Sequence, residues 1–284
     1  MLSDYLKAIL QYILPKSALT ILAGYLAVIQ SPFIKQAFIR YFIRKYDVNM
    51  QEALEENPKN YANFNEFFIR QLKPECRPIA AMDIISPVDG YISEIGNIHN
   101  SILIQAKGRN YSIQELLACE NELSSQFTNG VFATLYLSPK DYHRVHMPME
   151  ATLKRMVYVP GKLFSVQPAT TRTIPKLFAR NERLVVFFDT SVGLMAMVLV
   201  GATIVGAIGT SWHGDITRSR QQKDFFYPDN ATKATLLSQA QEMGYFKLGS
   251  TVILLFADGK RVQWKPGLQA TDKIHFGEGL GLIN

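Results

Sequence analysis

Cysteine is nearly absent: Cys76 and Cys119 are the only two in 284 residues. Two thiols do not make a disulfide framework, and the pair suits a reducing compartment. Histidine is also scarce, with five in the chain. Two of them, His143 and His146, lie three residues apart, but no cysteine or acidic cluster beside them completes a metal site. Gly201, Gly206 and Gly209 lack the spacing of a dinucleotide fingerprint, and there is no phosphate-loop motif. Internal repeats and low-complexity tracts are missing too. Long apolar runs are rare at the N-terminus. Ser17 to Ile34 carry no charge, but Ser17, Thr20, Gln30 and the Ser31-Pro32 break leave an apolar heart of only Ala18 to Ile29. That is short for a spanning helix. Pro15 and the lack of a clear cleavage site argue against a signal peptide.

What is present is a mild basic excess, a net charge of +6. Residues 1–46 hold six of the cations (Lys7, Lys16, Lys35, Arg40, Arg44 and Lys45) against Asp4 alone. A basic, apolar N-terminus points to an anionic membrane surface rather than to nucleic acid. Leu2, Leu6, Ile9, Leu10 and Ile13 recur at helical spacing, and Pro15 ends that run. In residues 33–46, Phe38, Ile39, Phe42 and Ile43 share one face while Arg40 and Arg44 share another. The pattern predicts two short helices lying on the bilayer.

Residues 48–72 read as helix in two pieces, broken near Asn57-Pro58. From about Ile84 the texture changes to short β-rich runs punctuated by Gly and Pro. Predicted strands are Gly90–Ile95, Val131–Leu137, Thr152–Val159, Leu184–Asp189, Leu194–Val200, Thr203–Ile208 and Thr251–Phe256. A helix is expected at about Ala231–Met243. The fold class is α+β: a helical membrane-associating region, residues 1–80, then a β-rich catalytic domain of mostly antiparallel sheets, residues 81–284.

Three segments carry candidate chemistry. Ser86-Pro87-Val88-Asp89-Gly90 is a turn signature leading into a strand. Tyr142-His143-Arg144-Val145-His146-Met147-Pro148 lies between two predicted strands, and its histidines suit acid–base work or a structural role. Leu248-Gly249-Ser250-Thr251 opens an apolar strand. Together they resemble the phosphatidylserine decarboxylase family in order and approximate spacing. Similar stretches are Phe67-Phe68-Ile69-Arg70-Gln71-Leu72-Lys73-Pro74 with Arg77-Pro78, Pro160–Val166, and Asn181-Glu182-Arg183.

The resemblance implies a proenzyme. Ser250 would attack the carbonyl of Gly249, with His146 as base and Asp89 as its partner, and the chain would split into residues 1–249 and 250–284. Ser250 would become a pyruvoyl group, the cofactor that forms a Schiff base with phosphatidylserine and stabilises the carbanion left by CO₂. His143 would return the proton, and Ser165 would line the substrate pocket. The two chains of one precursor would stay partnered, with a homodimer left open. The expected location is the cytoplasmic side of the inner membrane, peripherally bound. Glycine just before the serine makes physical sense, because it admits attack and tolerates strain.

Two other readings fit the residues. A membrane-associated serine hydrolase would keep Asp89, His146 and Ser250 as a conventional triad in an intact chain. A nucleophile elbow, however, has glycines two positions to either side, and Val252 is not glycine. A catalytically silent lipid-binding protein is the third reading.

Overall fold

A computed structural model describes residues 2–106, 108–203, 207–227, 235–247 and 250–284. Three helices open the chain: α1 (Leu2–Ile13), α2 (Lys16–Ala27) and α3 (Pro32–Tyr46). Pro15 separates the first pair, and Pro32 starts the third at a position where its missing N–H costs nothing. The sequence pattern had assigned helix only to the outer two; α2 fills the uncharged stretch between them. A short helix, α4 (Phe64–Phe68), is capped by the Asn63 side chain, which accepts the Glu66 N–H at 3.0 Å.

α3 faces two ways. Ile39 and Phe42 are buried, and Phe42 packs on Phe64, Phe67 and Phe68 with ring centroids 5.1, 6.0 and 5.8 Å away. Phe38 stacks on Phe64 at 4.3 Å. Phe33 at the other end is 88% exposed. The helices are therefore partly a core element and not only a surface layer.

The β-rich region is built on a nine-stranded antiparallel sheet. Its main strands are β1 (Gly90–Asn97), β2 (Val131–Leu137), β3 (Ala151–Val159), β4 (Arg183–Thr190), β5 (Gly193–Gly201) and β6 (Ser250–Phe256). They lie side by side in the order β3-β4-β5-β6-β2-β1. β6 is central and buried throughout. Val252, Leu254 and Phe256 face one apolar cluster, while Ile253 and Leu255 face the other. The run Ser-Thr-Val-Ile-Leu-Leu-Phe suits such a strand, apolar on both faces. Each large apolar side chain buried there stabilises the fold by about 1.5–3 kcal/mol, and Leu254→Ala would cost about 2–5 kcal/mol.

A smaller sheet sets the site. Its four strands run in the order Gly214–Asp215, Ile208–Thr210, Glu242–Phe246, Arg144–His146. The segment Tyr142–Pro148, expected to be a connection, thus contains a strand.

Three local expectations are corrected. Residues 48–63 are turns, because Asn49, Glu55 and Asn57 side chains bond backbone N–H groups two residues on, at 3.1, 2.8 and 3.1 Å, in place of a helix. Of the expected helical residues 48–72, only Phe64–Phe68 are helical. In the expected helix 231–243, residues 231–234 lie outside the described residues. The remainder holds the strand Leu236–Leu237 and the start of Glu242–Phe246, whose pairing on both edges overrides helical spacing. The strand expected at Thr203–Ile208 begins only at Ile208, with residues 204–206 outside the described set.

Candidate active site

The turn Ser86–Gly90 is fixed locally and from a distance. The Ser86 hydroxyl donates to the Val88 carbonyl at 2.8 Å, and the His146 N–H donates to the Pro87 carbonyl at 2.9 Å. The second bond ties the turn bearing Asp89 to the strand bearing His146. Gly90 has φ +154°, and a Cβ there would collide with the carbonyl oxygen of Tyr136. Only glycine lets β1 start this close to β2.

Asp89 is buried and fully engaged. Arg77 grips it with Nε 2.9 Å from Oδ1 and Nη2 2.6 Å from Oδ2, and the Phe276 N–H donates to Oδ1 at 2.9 Å. Arg77 also reaches Glu52 at 2.8 Å. Burial opposes the Arg77 charge, but the Asp89 carboxylate overrides it and raises the Arg77 pKa.

His146 sits beside this pair without bonding to it. Its ring stacks on Phe276 with centroids 3.8 Å apart. Nδ1 lies 2.8 Å from the Ala240 carbonyl and Nε2 lies 3.0 Å from the Tyr142 hydroxyl. With Nδ1–H donating and Nε2 accepting, both ring nitrogens are used. Burial pushes its pKa down. Phe276 is the bridge, giving its N–H to Asp89 and its ring to His146. It lies far along the chain, and its sequence context, Ile274-His275-Phe276-Gly277, carries no signal that could have found it.

His143 is completely buried. Nδ1–H donates to the Asp141 carbonyl at 2.8 Å, the ring packs on Phe68 at 4.1 Å, and Nε2 has no partner among the described residues. Burial pushes its pKa down to about 3, so the ring is neutral with a free lone pair.

Ser250 begins β6, fully buried, with its Oγ unpartnered among the described residues. It lines a cavity of about 280 Å³. The walls include Phe38, Tyr41, Phe42 and Lys45 of α3, Phe68 of α4, and Ser165. Ser165 therefore shares a wall with Ser250, and Phe68 connects that wall to His143. His146 lines a different cavity, with Tyr142, Arg77 and Phe276. No hydrogen bond joins Asp89, His146 and Ser250 among the described residues, and Gly249 lies outside them. His143 and Ser250 instead present two buried polar atoms that lack partners, and buried polar atoms in folded proteins rarely do.

The phosphatidylserine decarboxylase family model matches residues 64–282, about three quarters of the chain, and a second model described as PSD matches residues 6–47. The chain belongs to the phosphatidylserine decarboxylase family. The phosphatidylserine decarboxylase proenzyme of Legionella pneumophila strain Lens is 60% identical over 283 residues, covering 100% of both chains. That of Saccharophagus degradans is 50% identical, covering 98% of this chain and 97% of its own. That of Vibrio parahaemolyticus is 53% identical, covering 89% and 90%. Members of this decarboxylase family thus match the N-terminal helices as well as the β-rich region.

Proposed function

We propose that this protein decarboxylates phosphatidylserine to phosphatidylethanolamine after cutting its own chain before Ser250. The observation that carries the reading is Ser250 itself: a buried, unpartnered hydroxyl at the head of the central strand, in a cavity walled by the N-terminal helices.

In the proposed maturation, Ser250 Oγ attacks the carbonyl carbon of Gly249 and an ester replaces the peptide bond. His146 takes the hydroxyl proton, which requires Nε2 to leave Tyr142. Loss of the Ser250 α-proton then expels the Gly249 carboxylate and leaves a dehydroalanine, which takes up water and releases ammonia. The site fits the resulting ketone. An unpartnered buried hydroxyl costs about 1–3 kcal/mol, and conversion removes it without adding bulk. β6 pairs with β2 and β5 over seven residues each, from Ser250 to Phe256. The short chain 250–284 is thereby held in the sheet after the cut.

A pyruvoyl group at position 250 supplies an electron sink for the charge left when CO₂ departs. The chain's own residues do the rest. The apolar cavity walls exclude water and hold the lipid. His143 Nε2, neutral at rest, takes up the proton that the substrate ammonium gives up on reacting and delivers it to the former α-carbon; burial makes the imidazolium a ready donor. Ser165, Tyr41 and Lys45 stand in the same wall, in reach of the head group.

Membrane attachment at the cytoplasmic leaflet is part of the proposal. No single helix among the described residues is long and apolar enough to cross a bilayer, although Ala18–Ala27 and Pro32–Tyr46 pass together as a pair bent by 115°. Ile13, Tyr25 and Phe33 are exposed by 73%, 71% and 88%. Such side chains with flanking cations support an interfacial lie.

Purified protein supplied with detergent-dispersed phosphatidylserine should release CO₂ and form phosphatidylethanolamine. Ser250→Ala, or hydroxylamine treatment of the wild type, should abolish this. Undiminished activity in Ser250→Ala would reject the proposed chemistry.

A further inference from the structure

A third cavity, polar and about 250 Å³, lies just beyond the C-terminal end of α3. Arg70 lines it and is 5% exposed. Its Nη2 donates to the Lys140 carbonyl at 2.9 Å, and its guanidinium stands 5.6 Å from the Phe67 ring centroid. Nε and Nη1 are buried and have no hydrogen-bond partner among the described residues.

Four acids share the cavity: Asp47, Glu52, Asp89 and Asp141. None pairs with Arg70. Glu52 and Asp89 are taken by Arg77, and the Asp141 carboxylate accepts the Ser138 N–H at 2.7 Å. Lys140 and Lys273, which also line the cavity, are exposed and form no ion pair among the described residues.

The Asp89, Glu52 and Asp141 carboxylates favour the Arg70 charge from a distance, but a buried guanidinium with two N–H groups left without hydrogen bonds is still unfavourable. The arrangement is understandable if a counter-ion arrives from outside. Unpartnered guanidinium N–H groups suit an oxyanion, and flexible lysines beside them add point charge. We propose that Arg70 anchors a binding site for a phosphate-type oxyanion, with Lys140 and Lys273 completing it. The same chemistry is offered by free phosphate and by the phosphodiester of a lipid head group.

The test is thermal unfolding of the full-length protein with inorganic phosphate or sn-glycero-3-phosphoserine, against chloride at matched ionic strength. At least one anion should raise Tm by roughly 2–4 °C once it reaches several times its dissociation constant. A response to glycerophosphoserine alone assigns the site to a head group; a response to phosphate alone assigns it to the free ion. Arg70→Met should abolish the shift without lowering Tm in chloride, because it removes a buried charge whose N–H groups lack hydrogen bonds. A merely structural arginine would lower it. Arg70→Lys, which keeps the charge but not the planar donor set, should weaken binding at least ~10-fold by phosphorus-31 line broadening. Absence of any shift in the wild type, an undiminished shift in Arg70→Met, or wild-type broadening in Arg70→Lys would overturn the assignment.

Discussion

Arg77→Met tests whether Asp89 depends on its guanidinium partner. The side chains are 11% and 5% exposed, and the two short contacts, 2.9 and 2.6 Å, hold the carboxylate in one geometry. Replacing Arg77 leaves a buried carboxylate with only the Phe276 N–H, 2.9 Å away. Removing one partner of such a pair costs about 3–5 kcal/mol. The lost contact to Glu52, whose side chain is 35% exposed, adds at most ~1 kcal/mol. In a protein of this size the total corresponds to a fall in Tm of roughly 10 °C. The measurement belongs in a Ser250→Ala background, which keeps the precursor homogeneous, with urea unfolding of Arg77→Met, Asp89→Asn and the double variant. The double should recover part of the loss, giving a coupling of about 2 kcal/mol or more. A cost for Arg77→Met within ~1 kcal/mol, or strict additivity, would refute the reasoning.

Acid should destabilise the precursor through its two buried histidines. Unfolded histidine takes a proton near pH 6.5, whereas burial holds His143 neutral down to about 3 and lowers His146 as well. The unfolded state therefore binds more protons below pH 6.5, and stability is lost as pH falls through that window. Each histidine contributes up to ~1.4 kcal/mol per pH unit. Urea titrations at pH 7, 6 and 5 should show a shallower slope for His143→Gln; an unchanged slope contradicts its buried neutral state. In maturation, His146→Ala should leave uncut precursor. His143→Ala should cut itself but lose roughly 10²–10⁴-fold in CO₂ release. The reverse pattern on denaturing gels would transfer the base role to His143, whose Nε2 is the unpaired one. Finally, Phe33→Glu with Tyr25→Glu should reduce co-sedimentation with anionic vesicles by about 10-fold or more while leaving Tm little changed. Equal binding would place the anchor elsewhere. Deleting residues 1–46 is a poorer test, because Phe38 and Phe42 of α3 wall the Ser250 cavity.

Six strands of the main sheet were readable because each is a largely apolar run with turn residues at its ends, as in Val131–Leu137 and Ser250–Phe256, whereas Thr203–Ile208 was misplaced and Ile102–Ala106, Arg109–Ser112 and Arg144–His146 were missed. The bounds of the six differ by a residue or two. Residues 48–63 misled because Asn and Glu side chains that look neutral in a helical count capture backbone N–H groups locally. Glu242–Phe246 misled because its pairing partners, Ile208–Thr210 and Arg144–His146, are remote in sequence. In the site, residue types were legible but their partners were not. Asp89 meets Arg77 and Phe276, and His146 meets Tyr142, Ala240 and Phe276; the contacts to Phe276 and Ala240 are made by folding together distant segments. Arg70 and Arg77 stood in a recognisable stretch, yet nothing in it told the paired arginine from the unpaired one.

Self-conversion at Ser250 would be read in an intact-mass spectrum of the purified protein. Two chains are expected, residues 1–249 and 250–284, with the shorter one lighter by one ammonia than a peptide beginning with serine. A single uncut chain in fully active protein, or a short chain with a free serine N-terminus, would contradict self-conversion.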